Sequence, residues 1–192
     1  MKRRMRAALA SILVVGTVGL VAGAGTFAAF SGTAGNNGNA FAAGTVVLGD
    51  NDTGSSMWSV SNRIPGNSVT TCIRLTYTGT LDADVKLYSL SAVDTVDQYL
   101  SLSIDKGSMP GATSFPTCTG FSSESTIYSG TVQGFKSSTN SYLSGVGANP
   151  GAQTRWNQFD TLVYRFTVTL QNNTGAQGLT STTGFTWEAR NQ

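Results

Sequence analysis

Residues 68–79 read SVTTCIRLTYTG, and this stretch decides the fold. Val69, Thr71, Ile73, Leu75 and Tyr77 fall on one side of an extended chain, with Thr70, Cys72, Arg74, Thr76 and Thr78 on the other. A period of two, kept up with large or β-branched groups on one side, marks a strand with one face in a core. Pro65-Gly66 before it and Gly79 after it are turn residues that bound it.

The same alternation returns between Phe159 and Leu170, where Leu162, Tyr164, Phe166, Val168 and Leu170 share a face. Further strands are predicted at Val85 to Leu90, Tyr99 to Ile104, Thr126 to Phe135 and Phe185 to Ala189, and nearer the N-terminus at Thr45 to Leu48 and Met57 to Val60. Between Lys106 and Gln153 the chain is rich in Gly, Ser, Thr and Pro, which predicts long surface loops around Cys118. No stretch after residue 30 shows a helical period. About eight strands separated by turns predict an all-β fold, a jelly-roll-like antiparallel two-sheet sandwich over residues 45–192.

The N-terminus follows other rules. Met1 to Arg6 holds Lys2, Arg3, Arg4 and Arg6, and the next charged residue is Asp50. Leu9 to Val21 is apolar and leads into Gly23-Ala24-Gly25 and Thr26-Phe27-Ala28. A basic start, a short apolar run and small residues at a scissile point predict a signal peptide over residues 1–28, cut between Ala28 and Ala29. The competing reading is an uncleaved anchor, because about 20 apolar residues span a bilayer. Glycines at 16, 19, 23 and 25 weaken that reading. Arg3-Arg4 lacks the apolar residues expected after a twin-arginine pair, so ordinary Sec export is expected. Residues 29–44 are small, polar and glycine-rich, a flexible mature N-terminal segment. The membrane is therefore expected as a partner only through the leader, before cleavage.

Charged residues make up 11% of the 192, against about 25% in a typical soluble domain. With the four leader residues set aside from 12 basic ones, eight remain against ten acidic, a net charge of about −2. No basic patch exists for nucleic acid. Roughly 160 residues after the leader can bury about 70% of their unfolded surface, so a core needs no metal. Cys72 and Cys118 fit one disulfide in an oxidising compartment and two unpaired thiols in a reducing one.

Histidine is absent. That removes Ser-His-Asp and Cys-His catalysis and the two-histidine helix of zinc peptidases. Asp82 with Asp84, or Asp94 with Asp97, offers a glycosidase-like carboxylate pair, but beside strands Asp is ordinary turn chemistry. Asp50-Asn51-Asp52-Thr53-Gly54 begins like a calcium loop, yet its twelfth position is Ser61 where an EF-hand needs Glu. No catalytic residue, metal or cofactor is expected, and the chain does not read as an enzyme. Trp187 lies in register with Phe185 and Ala189 and reads as core. Trp156, in the polar run Thr154-Arg155-Trp156-Asn157-Gln158, reads as an exposed aromatic and the candidate glycan contact.

Gly25-Thr26-Phe27-Ala28-Ala29-Phe30-Ser31 followed by Asn39-Ala40-Phe41-Ala42-Ala43-Gly44-Thr45-Val46-Val47-Leu48 resembles the TasA and camelysin family, whose leaders are cut by a SipW-type signal peptidase. Ile64-Pro65-Gly66-Asn67-Ser68-Val69, Leu75-Thr76-Tyr77-Thr78-Gly79-Thr80 and the closing strands at Tyr164 to Leu170 and Phe185 to Ala189 are similar to that family as well. The resemblance implies a jelly-roll subunit secreted to the surface of Gram-positive cells, often a biofilm matrix fibre. In fibre-forming members the mature N-terminus is donated as a strand to the next subunit. The donor would be Ala29 to Ala34, with Ala29, Phe30 and Thr33 as anchors and Gly35 to Gly38 as hinge. The partners so implied are further copies of the chain or a related surface protein, besides the signal peptidase. The cysteine pair departs from the fibre formers, and the camelysin label of metallopeptidase finds no support in these residues. The alternative function is a carbohydrate-binding or adhesive module presenting Trp156, and a more remote one is a camelysin-like peptidase.

Overall fold

A computed structural model of the chain describes residues 31–34 by their backbone, and 45–55, 57, 64–111, 114–176 and 179–191 in full. The leader, its cut at Ala28 and Ala29, the anchor Phe30, the hinge and the expected strand beyond Met57 lie outside the described residues.

Among the described residues, nine strands build two antiparallel sheets. They are β1 (Ser31–Ala34), β2 (Leu48–Asp50), β3 (Ser68–Tyr77), β4 (Ala83–Tyr88), β5 (Leu100–Ser108), β6 (Ser122–Thr131), β7 (Val146–Gly147), β8 (Thr161–Leu170) and β9 (Thr186–Asn191). One sheet has the order β1-β9-β4-β7 and the other β2-β3-β8-β5-β6. The expected all-β sandwich is the observed fold.

The alternating stretch occupies the middle of it. β3 pairs along its length with β8, Ile73 opposite Tyr164 and Leu75 opposite Leu162. Thr71, Ile73, Leu75 and Tyr77 are buried, as are Leu162, Tyr164, Phe166 and Val168. From the other sheet Val85, Leu87, Trp187 and Ala189 complete one apolar cluster. Phe166 lies 4.7 Å from Phe185 and 6.0 Å from Trp187 between ring centroids, so aromatic contacts fill the space between the sheets. Tyr77 donates its hydroxyl to the Leu81 carbonyl, closing the corner that leaves β3. Gly79 sits where a Cβ would fall on the Thr45 carbonyl and the Tyr77 ring, so only glycine fits that corner.

The first strand, expected at Thr45 to Leu48, is β2 at Leu48–Asp50. Two further expectations are corrected. The strand predicted at Thr126 to Phe135 is β6 only as far as Thr131, after which the chain turns into a helix, α1 (Val132–Ser138). Thr131 Oγ1 accepts from the Gly134 amide at 3.0 Å and starts the helix; Val132 and Phe135, one turn apart, are fully buried. Seven residues are too few to show a helical period. The second correction is Trp156, which has no exposure. Its backbone bridges Ala83 in both directions, at 3.0 and 2.9 Å, and its indole N–H donates to the Ala148 carbonyl at 2.7 Å. That bridge rotates the ring into the core from a run whose other residues are polar, so Trp156 presents no ring to a glycan.

Candidate assembly edge

The last strand, β9, lies between β4 and the short β1. Its register with β1 is Ser31 opposite Arg190, Gly32 opposite Ala189, Thr33 opposite Glu188 and Ala34 opposite Trp187. The segment expected to be flexible thus supplies an edge strand to its own chain, over four residues against six. Of the anchors read from the sequence, Thr33 is placed here.

A polar lattice braces β9. Glu188 is buried; its Oε2 accepts the Tyr88 hydroxyl at 2.7 Å and its Oε1 accepts Arg190 Nε at 2.6 Å. Burial, and then the Glu188 carboxylate, pushes the Tyr88 hydroxyl up to about 12. Arg190 stacks over the Tyr142 ring at 4.0 Å, with Lys86 over the same ring at 5.4 Å. A buried carboxylate with two hydrogen-bonded partners ties β9 to β4 and fixes the side chains of its polar face. Pattern reading missed Glu188 and Tyr88, because a strand with alternate charges looks like any solvated face.

The remaining sheet edges are short or irregular. β2 has three residues and β7 two. β6 is long, but its pairing with β5 shifts register at Ile104/Asp105 and Lys106/Gly107, and such irregularities blunt an edge against further pairing. β9 is the regular strand that depends on a four-residue neighbour for its outer hydrogen bonds.

Cys72 and Cys118 form a disulfide, with Cα atoms 5.1 Å apart. It pins the segment between β5 and β6 across the outer face of β3 and β8. There Cys72, Met109 and Val163 make a second small apolar cluster, the Cys72 amide donates to the Pro116 carbonyl at 3.1 Å, and Arg165 covers the Phe121 ring at 4.6 Å. Asp50, Asn51 and Asp52 serve a turn: Asn51 Oδ1 accepts the Arg74 amide at 2.8 Å and Asp52 Oδ1 the Gly54 amide at 2.7 Å. Burial first, and the neighbouring Asp52 second, pushes the Asp50 carboxyl up to about 6. Asp94 and Asp97 do not face each other across a substrate cleft; both turn towards Lys136.

These features define a class, a two-sheet β sandwich whose N-terminal segment extends the sheet of its final strand. The family model described as camelysin metallo-endopeptidase matches residues 1–101, and the chain belongs to that family, one associated with secreted and surface proteins. No curated protein matches the chain. The family's description implies a metal ion, and the residues do not fit one. The sequence has no histidine, both cysteines are joined to each other, and no three metal-ligating side chains converge among the described residues.

Proposed function

We propose that the chain is an exported structural subunit of the cell surface or extracellular matrix, which assembles with copies of itself by N-terminal strand exchange. The observation that carries this reading is the pairing of Ser31–Ala34 with Trp187–Arg190. A strand held at a sheet edge by four residues can be replaced by the same segment of another molecule, because the incoming backbone makes the same hydrogen bonds. The edge vacated by one β1 is then the acceptor for the next, which gives a head-to-tail contact able to repeat.

Electron microscopy of the mature protein beginning at Ala29, beside a version lacking Ala29 to Gly38, tests the reading. Filaments from the first and none from the second are expected. Persistent monomers of the longer form, or equal polymerisation of both, would overturn it.

A further inference from the structure

Lys136, on α1, is a lysine with no side-chain exposure, and it points at a carboxylate with none either. Its Nζ lies 2.8 Å from Asp97 Oδ2 and 3.3 Å from Asp94 Oδ2. It also donates to the carbonyls of Ala92 and Thr182, at 3.0 and 2.9 Å. Asp97 is held from three sides: Oδ2 also accepts the Asp94 amide at 2.7 Å, and Oδ1 accepts the Ser181 hydroxyl at 2.5 Å. The groups come from three separate segments: the turn at Thr95–Tyr99 and its cap Asp94, helix α1, and the stretch before β9. The other ion pairs keep at least one partner in partial contact with water, so this pair is the dry one among the described residues.

Taking an ammonium and a carboxylate out of water is costly for each ion, and amide formation removes both charges at once. An amine and a carboxyl held in contact also react without the entropy loss of a bimolecular encounter. We propose that Lys136 and Asp97 condense to an intramolecular isopeptide bond, with Asp94 carrying the proton.

The atoms balance without a co-reactant. One ammonium proton passes to Asp97 Oδ2 across their contact, leaving a neutral amine beside a neutral acid. The amine lone pair attacks Asp97 Cγ, while the Ser181 hydroxyl stabilises the negative charge that develops on Oδ1. Asp94 takes a second proton from nitrogen and returns it to Oδ2, the Cγ–Oδ2 bond breaks, and water leaves. The third proton remains as the amide N–H. The Thr182 amide, with Lys136, holds the Asp94 carboxyl below the usual carboxylate range, so it is ionised and able to accept. The product would tie α1 to the turn that leads into β5, a second covalent crosslink beside Cys72–Cys118.

Mass spectrometry of the purified protein decides it. The expected intact mass is below that of the sequence from Ala29 onward by one water, beyond the two hydrogens lost to the disulfide. After reduction, trypsin should leave Lys136 uncut and release a branched peptide joining residues 87–106 to residues 107–155. Lys136→Arg, which has no nucleophilic amine, should retain the water. Asp94→Asn keeps an oxygen for the Thr182 amide, so it should fold with an unchanged circular dichroism spectrum and yet condense at least tenfold more slowly. A wild-type chain of full mass, cut normally after Lys136, would overturn the proposal. An Asp94→Asn chain that condenses as fast as wild type would overturn the role given to Asp94.

Discussion

Thr33, in the first strand, stands opposite Glu188 in the last. Glu188 is fixed by Tyr88 and Arg190, while β1 rests on one short edge pairing. Thr33→Pro fixes φ in the middle of a four-residue strand and removes one of its backbone donors, which weakens so short a pairing. The variant should remain a folded monomer with a near-wild-type denaturation midpoint but lose assembly, measured by sedimentation. Assembly equal to wild type would separate polymerisation from this strand.

Tyr88→Phe leaves one oxygen of the buried Glu188 carboxylate without its partner. The expected cost is about 1–3 kcal/mol in urea denaturation, the range for a buried acceptor left unsatisfied. Glu188→Gln, which still accepts the hydroxyl, should cost less. Equal losses in the two variants would mean that the carboxylate, not its hydrogen bond to Tyr88, matters.

Reducing Cys72–Cys118, separated by 46 residues in sequence, should lower stability by about 4 kcal/mol in the chain-entropy description. Limited proteolysis should then cut first between Met109 and Phe121, the segment that the bridge ties to the outer face of β3. A denaturation midpoint unmoved by reductant would contradict that.

Asp50 gives the folding equilibrium a sign that most carboxylates do not. Its folded pKa is raised from 3.8 to about 6 by burial and by Asp52, so between those values the folded state binds more protons than the unfolded state. Stability from this group is therefore present below about pH 4 and is lost as pH rises through about 6. Asp50→Asn should remove this loss, so its denaturation midpoint gains on that of wild type as pH rises through that window. A wild-type midpoint that rises through the window by as much as that of Asp50→Asn would contradict the assignment.

The strands were legible where one face alone is buried. β3 and β8 show their inner faces as Thr71, Ile73, Leu75 and Tyr77, and as Leu162, Tyr164, Phe166 and Val168. What escaped was set by contacts distant in sequence. Trp156 is core because Ala83 bridges it, and nothing in its polar neighbours says so. Helix α1 is too short for a period, and Lys136 within it looks like any surface lysine until Asp94 and Asp97 are brought around it. The cysteine pair was legible as a bridge conditional on compartment, and the structure closes it. The donor-strand proposal rests in the sequence on family resemblance alone; from the residues themselves, 29–44 is a polar, glycine-rich linker.

The most direct measurement uses two single-cysteine additions in separate molecules, Gly32→Cys in one and Ala189→Cys in the other, opposite each other in the register of β1 and β9. Neither can close that link within its own chain. If strands are exchanged, mixing the two under oxidising conditions should trap a disulfide-linked heterodimer in the assembled fraction, with the 32–189 link found by peptide mapping. Assembled material that yields no such link would contradict the account.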